Sequence, residues 1–493
     1  MIQEKNKQVE NYDIIIIGAG SGGLNVAGFF SRLKLKVLLI DKSSEHIGGD
    51  CLNAGCVPSK ALIHIANQIY EGRMSKRFYF DKFSPVNKSW LDNDGGIDMN
   101  KIVEYIKSKQ DFIRESENPE YLKDKGIDYI SGVAKFVNKN TISLQNNTGE
   151  IINYEAKNIV LATGSRPRKL NVENDKSIAE YNNENIFTIN SIPKEFIFIG
   201  AGPINCELGQ AFSRLGSKVT ILNTGNRILE KESTEASDIL ERQFLEEGIK
   251  IINNIKIKKI KNKKVFYIKD NILENINADA VFVGIGRELN IDNLDLEKAG
   301  IELDASKNKL IINSFLQTTN KNVYVVGDVA GNYQFTHAAE MHAKVVAKNL
   351  LSPIKTSFDA SNIAWVTYTS PEIATFGVDQ KVALENNFEI ISKDFKHDDR
   401  AIVDENQDGF LKLFVDKKGV IKGGAMISKN AGELSSELVL AMSNNISLEK
   451  IFNKVYPYPV ASRINKQLSG EWVSRKLTNT NIKLLRFFYK IFG

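Results

Sequence analysis

The chain has 493 residues, 42% hydrophobic and 25% charged; this is the composition of a globular protein of about three domains and excludes a collagen, a low-complexity chain or wholesale disorder. A net charge of +5 is small for this length, so nucleic acid is not expected as a partner. No apolar run approaches the ~20 residues of a membrane span, and the start MIQEKNKQVENYD has neither the apolar core of a secretory signal nor the acid-free character of a transit peptide, so a cytoplasmic protein is expected.

The first predicted strand, ending at Ile17, runs into Gly18, Gly20 and Gly23 at G-x-G-x-x-G spacing, and a helical stretch follows. Gly18 permits the tight turn, Gly20 lets a pyrophosphate approach the backbone, and Gly23 lets the helix pack closely on the strand. The helix N-terminus adds N–H donors for the phosphate. A second strand, KVLLI, ends at Asp41, placed to accept hydrogen bonds from an adenosine ribose. Strand, helix, strand and terminal acid in register predict a dinucleotide site rather than an ordinary glycine-rich turn.

Next comes the run Gly48-Gly49-Asp50-Cys51-Leu52-Asn53-Ala54-Gly55-Cys56-Val57-Pro58-Ser59-Lys60. Cys51, Cys56 and Cys206 are the only cysteines, too few for a stapling framework or a zinc set, so no metal site is expected. The helical pattern after Cys56 puts the pair in a loop and the first turns of a helix, where the helix dipole and free N–H groups favour thiolate. Four intervening residues allow a small reducible disulfide. Cys206 reads as a packing residue.

Three later strands end in glycine: NIVLATGSRPR at Ala162, Thr163 and Gly164; AVFVGIGRELN at Gly284, Gly286 and Arg287; and NVYVVGDVAG at Gly327-Asp328. The last suits a flavin ribityl chain, with a plain Gly-Asp turn as the alternative. Before the second of these lies a repeat of the nucleotide signature, with Gly200, Gly202 and, in place of the third glycine, Asn205. Its second strand ends at Asn223, where an acid would select NAD. An internal repeat of this kind predicts two nucleotides. Arg227 is either a ligand for a 2′-phosphate or a loop charge, so NADH and NADPH both stay open.

The GGDCLNAGCVPSK run, together with the two nucleotide signatures, resembles the flavin- and pyridine-nucleotide-dependent disulfide oxidoreductases: dihydrolipoamide dehydrogenase, glutathione reductase and mercuric reductase. The resemblance covers nearly the whole chain. It implies an α/β fold with two Rossmann-like dinucleotide-binding domains and a C-terminal α+β dimerisation domain. The boundaries it suggests are 1–165 for the first part of the FAD domain, 166–290 for the NAD(P) domain, 291–355 for the second part of the FAD domain and 356–493 for dimerisation, with a mixed sheet. It implies FAD held by Gly18, Gly20, Gly23, Asp41, Gly49, Lys60, Ala134, Thr163, Gly164, Gly327, Asp328, Thr336 and His337. NADH or NADPH would sit at Gly200, Gly202, Glu207, Asn223 and Gly286. It further implies a Cys51–Cys56 redox disulfide, with Cys56 facing the flavin, Cys51 as the outer interchange thiol, Lys60 paired with Glu207, and a homodimer.

Near the C-terminus two of these enzymes carry a His-Pro motif followed by Glu, a base supplied by the partner subunit. Here His46, His64, His337, His342 and His397 all precede that region. Tyr458 occupies the base position and Arg463 the place of the Glu. A phenol with a reference pKa of ~10 is a poor base near neutrality. Mercuric reductases also carry a Tyr there, but they use a C-terminal cysteine pair that this chain lacks. The expected acceptor is a disulfide or related compound. The alternatives are Hg(II) or another soft electrophile, or a membrane-peripheral electron carrier with little dithiol turnover. His64 is read as a packing or surface residue, and His46, His342 and His397 have no readable role.

In the tail, Leu484, Phe487, Phe488 and Ile491 recur at helical spacing, with Lys483, Arg486 and Lys490 between them. A helix packed on the dimer is the preferred reading, and weak contact with an anionic membrane the alternative.

Overall fold

The computed structural model describes residues 9–74, 90–92, 96–146, 149–475 and 477–493; residues 1–8, on which part of the targeting reading rests, lie outside them. Two compact units emerge: Met1–Gly200 with Ala211–Leu222 and Ile255–Phe358, and Ala201–Gln210 with Asn223–Asn254 and Asp359–Gly493.

In the first unit, the strand Val9–Ile17 lies between Val37–Asp41 and Ile151–Leu161, parallel to both, with Ile14 opposite Val37 and Asn158. Ile127–Phe136 extends the sheet on one side and Val323–Val325 on the other. A parallel sheet covered on both faces needs strands that are apolar throughout rather than alternating. That is why four consecutive isoleucines, Ile14–Ile17, are all buried here. The strand Thr141–Asn146 then pairs antiparallel with both Ile127–Phe136 and Ile151–Leu161.

The repeat builds a second parallel sheet, in which Glu195–Ile199 lies between Lys218–Leu222 and Ala280–Val283. Its core is aromatic: the rings of Phe196 and Phe198 are 4.6 Å apart, and those of Phe196 and Phe212 are 5.0 Å apart. A short antiparallel ladder, Ser165–Pro167 against Arg287–Leu289, joins the ends of the two repeats.

The second unit holds a five-stranded sheet in the order Ala364–Thr367, Glu372–Gly377, Ile421–Ser428, Phe410–Val415 and Glu389–Asp394. The mixed sheet expected here is in fact antiparallel throughout. Two of the four pairs join strands adjacent in the chain through hairpin-scale connections, Ala364–Thr367 with Glu372–Gly377 and Phe410–Val415 with Ile421–Ser428, which only antiparallel pairing permits. Leu438, Leu468 and Trp472, from the helices Ala431–Ser443 and Arg463–Ser474, share its apolar core. No described helix is long and apolar enough to cross a membrane.

Candidate active site

Two glycines of the first signature are there for the chain's own packing. Gly18 has φ +111°, and a Cβ on it would run into the Ala162 carbonyl; a Cβ on Gly23 would run into the Gly18 carbonyl oxygen. Gly20 is different, because a Cβ there meets only the Gly49 Cα at 3.6 Å. The space over Gly20 is open. The helix Ser21–Arg32 starts directly after it with no side-chain cap and no acid in its first turn, leaving its positive end available to an anion. Asp41 stands beside the turn and accepts from the Ala19 and Lys42 N–H groups at 2.7 Å. Gly18→Ala is expected to destabilise the protein by about 3 kcal/mol through combined backbone strain and overlap, and to lower the flavin-to-protein ratio; thermal melting and absorbance check both.

The redox loop is stitched to this turn. Gly48 N–H donates to Ala19 O at 2.9 Å, and Gly20 and Gly48 form a β-bridge. Gly49, at φ +59°, sits so close to Gly20 that a Cβ would lie 2.7 Å from the Gly20 Cα. Cys51 follows in a single turn of helix, Gly49–Asn53, and Cys56 opens the 19-residue helix Cys56–Met74. Both cysteines are free thiols, Cys51 half-buried and Cys56 exposed. Asn53 anchors the turn by donating to Ile47 O and Gly49 O, while Gln110 donates to Leu52 O and Arg114 to Asn53 Oδ1. None of these three supports was assigned a role from sequence.

The interaction between the two thiols separates their acidities. The bond from Cys51 is the largest influence drawing Cys56 down to about 6; Thr336 and the Lys60 ammonium act the same way, and burial opposes them. Cys51 is pushed up by the same bond, by burial and by the charge of Cys56. Thr336 Oγ1 lies 3.4 Å from Cys56 Sγ at the first position of the helix Thr336–Leu351. Two helix N-termini therefore stabilise one thiolate. His337, next along, is exposed, and its ring stacks on Phe335 at 5.2 Å.

Asp328 ends its strand in a polar cluster. Ser165 Oγ donates to Asp328 Oδ2 at 2.5 Å, and Arg287 donates from Nε to Ser165 Oγ at 2.6 Å and from Nη2 to Ser165 O at 2.9 Å. Arg287 also pairs with Asp50, the residue before Cys51. Burial pushes the Asp328 carboxyl up, while Ser165 and Arg287 hold it down. Thr163 and Gly164 are fixed by Asn290, which donates from Nδ2 to Thr163 O at 2.9 Å and from its main-chain N–H to Gly164 O at 3.0 Å. Glu117, unread in the sequence, approaches Gly48; its Oε2 is buried without a hydrogen-bond partner, and burial raises its carboxyl. Ala134 has its side chain inside the apolar core.

At the second signature, Gly200 takes φ +101° and Gly286 φ +103°, and a Cβ on Gly202 or Gly286 meets nothing within 4 Å. Asn223 is buried. Its amide donates to Arg227 O at 2.8 Å and Asn253 Oδ1 at 2.9 Å and accepts from Gly225 N–H at 3.1 Å, so it organises the following loop. Arg227 resolves as a loop charge, with Nη1 donating to Leu229 O and Ser237 Oγ and Nη2 to Glu230 O and Glu232 O. Glu207 is buried, and its Oε1 accepts from Tyr368 N–H at 2.8 Å. Asn205, at the third-glycine position, is fully buried, as is Cys206.

Residues 12–343 match the family described as pyridine nucleotide-disulphide oxidoreductase, and residues 363–468 match that family's dimerisation domain. The chain belongs to the pyridine nucleotide-disulphide oxidoreductases. It is 28% identical over 467 residues to dihydrolipoyl dehydrogenase of Mycoplasma genitalium, covering 92% of this chain and 97% of that protein. It is 29% identical over 459 residues to mercuric reductase of Lysinibacillus sphaericus, covering 91% of this chain and 80% of the other. Its fold matches that of the Escherichia coli flavoprotein disulfide reductase RclA with a TM-score of 0.81 at 23% identity, over 94% of this chain and 99% of that one.

This pyridine nucleotide-disulphide oxidoreductase uses FAD and NAD(P)H, and the residues present fit the flavin. The cradle over Gly20 is open, the helix behind it is uncapped, and the orphaned Glu117 oxygen beside Gly48 offers an acceptor to a hydroxyl.

Tyr458 is 66% exposed, and its hydroxyl donates to Asp399 Oδ2 at 3.1 Å. That bond and the Asp399 charge raise the phenol above its ordinary value, outweighing the guanidinium of Arg463, which lies over the ring at 5.2 Å. His64 is exposed and stacks on Tyr105 with ring centroids 6.4 Å apart.

Proposed function

We propose that this enzyme carries electrons from NADH or NADPH, through FAD, to the Cys51–Cys56 pair and on to a disulfide or related soft acceptor, as a homodimer working in the reducing direction. The observation that supports it most is the pair of free thiols on the two successive helices of one loop, Cys56 at a helix start with its Sγ 3.4 Å from Thr336 Oγ1, where Cys56 is favoured as thiolate and Cys51 as thiol. Bound FAD supplies a two-electron acceptor for the nicotinamide hydride. The remaining steps belong to the protein's own groups. The Cys51 proton moves along the S–H···S⁻ bond to Cys56, and the Cys51 sulfur attacks the acceptor R–S–S–R. A Cys51–S–R bond forms as one RS⁻ leaves and takes up a proton from solvent. The Cys56 sulfur then attacks the Cys51 sulfur and its proton passes to the second departing RS⁻, which closes the Cys51–Cys56 disulfide and releases the second thiol.

Tyr458 supplies no efficient base for oxidising a dithiol: its hydroxyl is donated to Asp399, which keeps the phenol protonated near neutrality.

The test is an anaerobic titration with NADH and with NADPH, followed by turnover with oxidised lipoamide, oxidised glutathione, a quinone and Hg(II). The expected result is a long-wavelength thiolate–flavin band and turnover with at least one disulfide. A flavin that is reduced without that band, with turnover confined to the quinone, would overturn the proposal.

A further inference from the structure

The tail helix Asn479–Phe492 has no buried residue. Leu484, Leu485, Phe487, Phe488, Ile491 and Phe492 are each between 45% and 80% exposed, a run of large apolar side chains that a protein in water normally covers. At 3.6 residues per turn, Lys483, Arg486 and Lys490 fall on one stripe about 60° wide, and these six apolar residues span an arc of about 160° on the other side. Residues 476–493 contain four basic and no acidic side chains. No described residue forms an ion pair with Lys483, Arg486 or Lys490.

We propose that this helix is an in-plane anchor for an anionic phospholipid bilayer. Charge complementarity selects that occupant. A helix packed on a protein surface carries an apolar stripe of about 100° or more; this one is broad, rich in Leu and Phe, and its charged side is purely basic, the pattern of a helix sunk into the headgroup–acyl boundary. Its lysines and arginine then reach back to the phosphates along their apolar stems. The adjacent cleft is consistent with lipid: about 460 Å³, lined by Phe452, Val473 and Leu477 on one side and Leu484 and Leu485 of the tail on the other. The match to the dimerisation domain ends at residue 468, before this helix begins. The anchor is independent of the electron acceptor, so either proposal can fail without the other.

The experiment uses the full-length, flavin-loaded protein with sedimenting vesicles of phosphatidylcholine alone or with about one third phosphatidylserine. Binding is expected only with phosphatidylserine, and it is expected to weaken as salt is raised. The triple variant Lys483→Glu, Arg486→Glu, Lys490→Glu should lose at least about a hundredfold in partitioning, at about fivefold or more for each basic residue. The double variant Phe487→Ser, Phe488→Ser should lose a comparable factor through its apolar contacts. All five side chains are exposed or lie on an exposed helix, so melting temperature and NADH-dependent turnover in solution should be unchanged. Binding that is absent, equal on both vesicles, or untouched by either variant would overturn the anchor. So would a change in solution mass on light scattering for either variant, because the helix would then be packing on a second copy.

Discussion

Cys56→Ser is expected to remove disulfide reduction almost completely, by on the order of a thousandfold or more, while leaving flavin bound and reducible by pyridine nucleotide. Serine keeps the size and the helix start but supplies no thiolate near neutrality. Without it, neither the long-wavelength band nor closure of the disulfide is available. Cys51→Ala should cost as much turnover for a different reason, and a second measurement tells the two apart. Cys51 is the largest influence holding Cys56 near 6, so its removal should move the Cys56 midpoint upward, though Thr336 and Lys60 still favour the thiolate. Alkylation rate against pH, measured on the reduced protein, reads that midpoint directly. Full acceptor turnover in Cys51→Ala would eliminate thiol chemistry altogether and leave a flavin-only reductase. An unmoved midpoint would eliminate the hydrogen bond as the source of the low pKa.

What was legible in the sequence was local. Gly18, Gly20 and Gly23 announce a strand–turn–helix because their spacing lies within half a dozen residues, although the Ala162 carbonyl that crowds Gly18 comes from far along the chain, and the Cys51–Cys56 spacing is equally short-range. The supports were not legible, because they are long-range. Arg287 meets Asp50 across 237 positions and Ser165 across 122, so the sequence shows only a charged residue after a strand. Asn223 occupies the right register for a ribose ligand, yet its amide is consumed by Arg227, Asn253 and Gly225. Short polar side chains at strand ends serve loops and ligands equally well, and only packing decides between them. Arg227 stands between two readings for the same reason, and in the fold its guanidinium donates to four backbone and hydroxyl acceptors of its own loop and the helix that follows. The wholly antiparallel sheet of the second unit was missed because alternating strands look alike in either direction.

His342 is a residue whose role the sequence hid, and it carries a pH effect on stability in the acid range. It is fully buried on the helix Thr336–Leu351. Its Nδ1 accepts from the Gly327 N–H at 3.2 Å, and its ring meets Phe358 edge-on at 4.4 Å. An accepting Nδ1 fixes the neutral tautomer and places that ring against the turn that presents Asp328. Burial draws its pKa from 6.5 down to about 4. The sign follows from proton counting. Between these values the unfolded chain binds a proton that the folded chain refuses, so stability falls as pH drops from about 6.5 toward 4. The full loss is about 3 kcal/mol. Asp328 works the other way, since a buried carboxyl raised in the fold gains stability on acidification. The variant His342→Gln separates the two because it keeps an acceptor near Gly327 but cannot charge. It should cost about 1–2 kcal/mol at pH 7.5 through lost ring packing. It should then lose about 2.5 kcal/mol less than the parent as the pH is lowered to about 4.5, so that the two stabilities read from urea unfolding converge and then cross. Flavin release should follow the same order, with the parent shedding cofactor at higher pH than the variant. Parallel curves, with the same loss in both proteins, would show that the acid sensitivity lies elsewhere.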